Sequence, residues 1–166
     1  MIARALTLAI GITGAAGMSQ FPEYSQQYLQ RLAGSVEELG RIVEDFDRSA
    51  KAEGLTRDEA LASMTGSSFV ERRRTDMSRA IARHERLSAD LQALRGAGPF
   101  TRAYQVARFD DADLMRGTAE DFRPALPLTF EGAVFAGAGL VIGLLVAGLL
   151  GDLLRLLSAP FRRRPA

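Results

Sequence analysis

The sequence predicts an all-α membrane protein: two transmembrane helices flanking a periplasmic helical hairpin, with a broken helix near the membrane. Three observations carry that expectation. Residues 20–125 contain 18 acids and 16 bases, which is 34 of the 41 charges in 166 residues. An uncharged run of 20 residues, Gly132 to Gly151, lies near the C-terminal end between Glu131 and Asp152. In the charged middle, apolar residues recur at alternating steps of three and four, the period of a helix packed on another helix, and nowhere alternate with period two.

Residues 1–19 are expected to form the first transmembrane helix. The stretch is apolar apart from Arg4 and small polar residues. Its core, Ala5 to Met18, has the length of a signal-peptide hydrophobic region, and Ala15-Ala16-Gly17 offers small residues for cleavage. A thin basic leader and few strong hydrophobes favour a retained helix over a cleaved one, with Arg4 snorkelling to the interface.

Residues 20–125 are expected to form a periplasmic helical domain. The first seam runs Leu29, Leu32, Val36, Leu39, Val43, Phe46, Ala50 and is closed by Gly54. Thr56-Arg57-Asp58-Glu59 reads as a capping box that opens a short helix ending near Gly66. Ser68-Phe69-Val70-Glu71 reads as a second box, opening a helix with the seam Met77, Ala80, His84, Leu87, Leu91, Leu94. Gly96-Ala97-Gly98-Pro99 stops that helix. The two long helices are expected to pair antiparallel in coiled-coil fashion, bringing Glu44, Asp45 and Asp47 beside Arg72, Arg73 and Arg74. Residues 100–122 are expected to break near Phe109-Asp110-Asp111 or to lie along the membrane surface.

Residues 126–157 form the expected second transmembrane helix, since 20 uncharged residues at about 1.5 Å rise each span a bilayer core of ~30 Å. Residues 158–166 would be a basic cytoplasmic tail with Arg162, Arg163 and Arg164. With Arg155 and Arg4, that cluster is expected to put both termini in the cytoplasm, and residues 20–125 in the periplasm of a Gram-negative cell or outside another bacterium. Small residues recur every four positions on both membrane helices: Ala3, Thr7, Gly11 and Ala15 on the first, and Gly139, Gly143, Ala147 and Gly151 on the second. Stripes of this kind let helix backbones approach closely in lipid. The expected packing interface is Gly11, Ala15, Gly139, Gly143, Ala147 and Gly151.

No chemical constellation accompanies this architecture. The chain has no cysteine and one histidine, His84, which falls on an apolar seam while Glu85 points elsewhere on the helix. Glu37-Glu38, Glu44-Asp45-Asp47 and Asp110-Asp111-Asp113 have the spacing of helix surfaces and caps. The last lacks the glycine and terminal glutamate of a calcium loop. Neither a phosphate-binding loop, a dinucleotide fingerprint nor a zinc motif is present. No catalytic residue, metal site or cofactor is therefore expected, and balanced charge gives no reason to expect a nucleic-acid partner.

The block Ser19-Gln20-Phe21-Pro22-Glu23-Tyr24-Ser25-Gln26-Gln27-Tyr28-Leu29-Gln30-Arg31-Leu32, together with Pro124-Ala125-Leu126-Pro127-Leu128-Thr129-Phe130-Glu131-Gly132, resembles an uncharacterised family of small proteobacterial membrane proteins known as a domain of unknown function. The resemblance covers nearly the whole chain. It implies an inner-membrane location and a retained first helix, and supplies no activity. On a helix opened by Pro22, Tyr24 and Tyr28 would sit one turn apart at the outer membrane interface.

The expected function is non-enzymatic: a structural or accessory membrane protein that self-associates or holds a larger complex. Its partners would be the lipid bilayer and either further copies of itself or another membrane protein. Two other classes are compatible with the same layout: a small oligomeric channel or mechanosensitive pore, and a periplasmic sensor or binding module acting through a partner.

Overall fold

The computed structural model describes residues 2–126 and 128–158, so Pro127 and the tail arginines Arg162, Arg163 and Arg164 lie outside the described residues. Seven α-helices and one short 3-10 helix follow one another, with no strand among the described residues. The chain divides into two compact units, Met1–Ser25 with Phe122–Ala166, and Gln26–Asp121.

The first unit is built on α1 (Ile2–Ser19) and α7 (Phe130–Ser158). Within α7, Phe130–Leu153 is long and apolar enough to cross a bilayer, the one such stretch among the described residues. Of the two expected spans, the structure therefore supports one, Phe130–Leu153; α1 is not among the stretches that meet the same measure. The two helices run antiparallel: Gly14 faces Gly139, while Ile10 and Gly11 face Gly143 and Leu144. Phe21 packs on Phe135 with ring centroids 5.2 Å apart, and Tyr24 meets Phe122 edge-on at 5.8 Å.

The second unit takes up most of α2 (Phe21–Ala52), followed by α3 (Arg57–Ser63), α4 (Ser68–Leu94), α5 (Pro99–Tyr104), a 3-10 helix at Val106–Arg108 and α6 (Ala112–Glu120). α2 starts at Phe21, eight residues before the seam at Leu29, since Pro22 is tolerated in a first turn that lacks amide partners. Gly54 and Gly96 end α2 and α4 at φ of 73° and 82°, the left-handed region that a side chain disfavours. Thr56 forms the expected capping box: its hydroxyl accepts from the Glu59 amide, and the Glu59 carboxylate accepts from the Thr56 amide at 2.8 Å. The cap of α4 lies one residue earlier than expected. Ser67, not Ser68, is extended and accepts from the Val70 amide at 3.3 Å, which puts Val70 rather than Glu71 at the third position.

α2 and α4 are antiparallel neighbours. Gly40 lies against His84, and one turn back on α2, Val36 shares a groove with Leu91 and Arg95 further along α4. Tyr28, Leu32, Val43 and Ala50 from α2 are buried, as are Ile81, Leu87, Leu91 and Leu94 from α4. Tyr28 is thus not an interfacial anchor. It is 1 % exposed and packs on Phe109 at a centroid distance of 4.5 Å.

The expected pairing of Glu44, Asp45 and Asp47 with Arg72, Arg73 and Arg74 is absent among the described residues. Asp47 is gripped by Arg57 at 2.5 and 2.7 Å, Asp45 by Arg48 at 3.0 Å, and Arg73 by Asp76 at 3.5 Å. The short α3 supplies Asp47 with a base, and Asp45 and Arg73 find partners within one turn of their own helix.

Candidate functional site

Two places in the molecule concentrate unusual physics. One is the contact between α1 and α7. Its face on α7 runs through Gly139, Gly143 and Ala147, all buried, at steps of four, and one turn earlier Phe135 is buried against Phe21 of α2. On α1 the facing positions are Thr7, Ile10, Gly11, Gly14, Ala15 and Met18, of which Gly11 is fully buried. Helices touch here through main chain. A β-carbon added to Gly14 would stand 2.5 Å from the Gly139 carbonyl oxygen, and one added to Gly143 would stand 2.7 Å from that of Ile10. One on Gly139 would collide with the Gly14 carbonyl, and one on Gly11 would meet Leu144 at 2.9 Å. Without side chains in between, dispersion contacts form between backbones, and this is the attraction that remains when lipid replaces water.

Of the six residues expected at this interface, Gly11, Gly139, Gly143 and Ala147 are buried in the contact and Ala15 is half-buried beside it. Gly151 has open space where a side chain would stand. Gly14 makes the closest approach and was not among the expected residues. A strict step of four skips it, whereas the stripe on α1 uses steps of three as well. The outer face of α7 is uniformly apolar: Val141, Leu145 and Leu149 are 57, 63 and 72 % exposed. On α1, Leu6, Leu8 and Ile12 are exposed in the same way.

The other place is a layer of charge in the second unit that fastens the 106–121 segment. Asp111 is 6 % exposed and caps α6, accepting from the Leu114 amide at 3.1 Å. Arg83 grips both of its oxygens at 2.9 and 3.1 Å, and Arg86 adds a bond at 3.1 Å. Burial alone would raise the Asp111 pKa, but the Arg83 and Leu114 bonds with the Arg83 and Arg86 charges hold it below the usual carboxylate range. Asp90, also buried, accepts from Arg108 at 2.8 Å. Arg31 pairs with Asp121, crossing α6 at Gly117, where a β-carbon would stand 2.7 Å from its guanidinium. Burial pushes the Tyr28 hydroxyl up to about 12, helped by the negative charges of Asp111 and Asp110. With its oxygens bonded to arginines and an amide, Asp111 is a structural clasp.

Along the expected stalk seam, Leu32, Val43, Leu87, Leu91 and Leu94 are buried, while Val36, Leu39, Phe46, Met77 and His84 are half-buried. His84 lies beside Gly40, and Glu85 turns away to Arg57 at 3.8 Å. Among the described residues no group of three or more metal-ligating side chains converges.

A family model described as Protein of unknown function (DUF2937) matches residues 2–163, and the chain belongs to that family. No curated protein and no solved structure matches it.

Proposed function

We propose that this member of the DUF2937 family is a non-enzymatic structural or accessory protein of a bacterial inner membrane. In this reading α1 and α7 cross the bilayer as one tightly packed pair. Residues 20–125 project into the periplasm, and the apolar outer surface is available to lipid, to another copy or to a partner membrane protein. The observation that carries the reading is the pairing of α1 with α7 through bare main chain, combined with an outer α7 face of large exposed aliphatics. In water such a surface would drive aggregation; in hydrocarbon it is at rest. The contact supports membrane residence for α1 as well, since α1 supplies the backbone that covers Gly139 and Gly143. The same cover counts against a pore lined by that glycine stripe.

Absence of natural cysteine makes the test clean. Single cysteines placed by Arg72→Cys and by Leu156→Cys are probed in intact spheroplasts with a membrane-impermeant maleimide. Labelling of the first and protection of the second is the expected pattern, with the protein retained by membranes through an alkaline carbonate wash. Release by carbonate, or labelling of both, would overturn the topology. The mass of the detergent-extracted assembly then tests the scaffold: a lone monomer with nothing co-purifying would remove it.

A further inference from the structure

Three charged side chains are buried among the described residues: Asp90, Asp111 and Arg102. The two carboxylates have cationic partners at 2.8 to 3.1 Å. Arg102 has none. On α5 it is 9 % exposed, donates one hydrogen bond, from Nη1 to Gln26 Oε1 at 2.9 Å, and leaves its Nε buried without a partner. Gln105, one turn further along, likewise buries Oε1 without a partner. Because the two ends of an amide are interchangeable by a flip, Gln105 can offer an N–H in place of that oxygen. A buried guanidinium that lacks an anion carries a desolvation cost that nothing in the chain offsets.

The surroundings narrow the missing anion. From Arg95 to Phe109 there are three arginines, Arg95, Arg102 and Arg108, and no acid; Arg108 is already matched by Asp90 on α4. On the same short stretch Tyr104 is 92 % exposed, Val106 57 % and Phe100 46 %. Exposed aromatic and aliphatic side chains around a buried cation are the arrangement expected where a protein meets the headgroup layer, with rings among the upper acyl chains and the base on a phosphate. We propose that Arg102, with Gln26 and Gln105, binds the phosphate of an anionic phospholipid, and that Phe100, Tyr104 and Val106 enter the bilayer surface around it. The proposal rests on the membrane reading above and adds a lipid class and a contact residue to it. Guanidinium and phosphate oxygens form charge-assisted hydrogen bonds, so one anion at the guanidinium would neutralise the buried charge.

The test uses the full chain in non-ionic detergent, stripped of endogenous lipid and titrated with phosphatidylglycerol, phosphatidylcholine or inorganic phosphate. Native mass spectrometry reads bound lipid, and thermal unfolding reads stability. Wild type is expected to retain phosphatidylglycerol over phosphatidylcholine by roughly tenfold, the ratio conferred by one charge-assisted bond. Arg102→Gln is expected to abolish that preference, Arg102→Lys to keep part of it, and a Phe100→Ser/Tyr104→Ser double variant to weaken both lipids alike. Stability supplies a sign that misfolding would not. Without anionic lipid Arg102→Gln melts at or above the wild-type temperature, because an uncompensated charge is gone. With phosphatidylglycerol it melts below wild type. Equal retention of the two lipids, or a preference that survives Arg102→Gln, would overturn the headgroup site. Inorganic phosphate that displaces phosphatidylglycerol and stabilises wild type equally would assign the site to a free anion and overturn the lipid. Loss of the protein from membranes in carbonate, by contrast, sinks the membrane reading itself.

Discussion

The two units hold helices together by opposite means. In the first, α1 meets α7 where side chains are missing, and the glycines let carbonyl and α-carbon touch across the contact. In the second, helices are joined where side chains are largest or most charged: Tyr28 on Phe109, Leu32 and Leu94 with no exposure, Asp111 in the grip of Arg83 and Arg86. The difference follows from the solvent each unit is proposed to meet. Water makes apolar burial profitable and screens surface charge, so a water-facing unit gains from bulky cores and needs partners only for buried ions. Lipid tails are as apolar as leucine, so close backbone packing is the gain that remains.

The sharpest way to break this comparison is to put a side chain into the first unit. Gly139→Val would drive its β-carbon into the Gly14 carbonyl, and main chain cannot swing aside as a side chain can. The cost should reach or exceed the ~1–3 kcal/mol of an overpacked core. Gly148→Val, where nothing lies within 4 Å, is the matched control and should cost nothing measurable. Unfolding in mixed micelles, titrated with a denaturing detergent, reads both. Equal midpoints for the two variants would mean that α1 and α7 are not held by this contact.

How far the two units were legible in the sequence differs for the same reason. α7 declared itself by length and composition, because a bilayer demands some 20 apolar residues and little else does. Residues 1–19 read as a span on a weaker pattern, and what the structure adds for α1 is its neighbour, α7. In the second unit the step of three and four picked out Leu87, Leu91 and Leu94, all buried, but it did not mark Ile81, which is buried too. Periodicity states which face of a helix is apolar and is silent on how wide the neighbours make it. Charge partners were the least legible. Asp47 chose Arg57 and Asp111 chose Arg83, 28 residues away, and distances of that kind arise only once the chain has folded. The capping reading placed a cap within Asp110-Asp111-Asp113, and Asp111 caps α6; its arginine clasp had no local signal at all. Tyr28 was misplaced at the membrane because a tyrosine suits an interface and a core equally well until Phe109 is known to cover it.

A smaller effect is expected from Asp111→Asn, which keeps a capping oxygen and removes the charge. At neutral pH it should cost about 2 kcal/mol, the loss of charge-assisted bonds to guanidiniums that are themselves half-exposed. The sign of the pH dependence is fixed by the depressed Asp111 carboxyl. Its contribution is complete above the ordinary carboxylate value near pH 4, and it is lost as pH falls from there through the folded-state value. Thermal unfolding from neutral pH down to about pH 3 should therefore show wild type converging on the variant in acid. Parallel curves would show that Asp111 is held by its cap alone.

The smallest effect should come from an ion pair with one contact shorter still. Arg41 bonds Glu37 at 2.5 Å and Glu38 at 3.2 Å, and the Glu37 bond and charge, with the Glu38 charge, raise its pKa above the usual arginine value. All three side chains stand well out in solvent, at 63, 69 and 66 % exposure. Water solvates each charge nearly as well as the partner does, and ordering three long side chains costs entropy, so Arg41→Ala should leave the thermal midpoint within experimental error. Arg41 and Arg83 are the same residue type bonded to the same group type, and the carboxylate at Arg83 is the buried one. If Arg41→Ala destabilised the protein as much as Asp111→Asn, distance rather than burial would rank the ion pairs. Charge would then hold the second unit from its surface, and solvent would no longer explain why the two units are built differently.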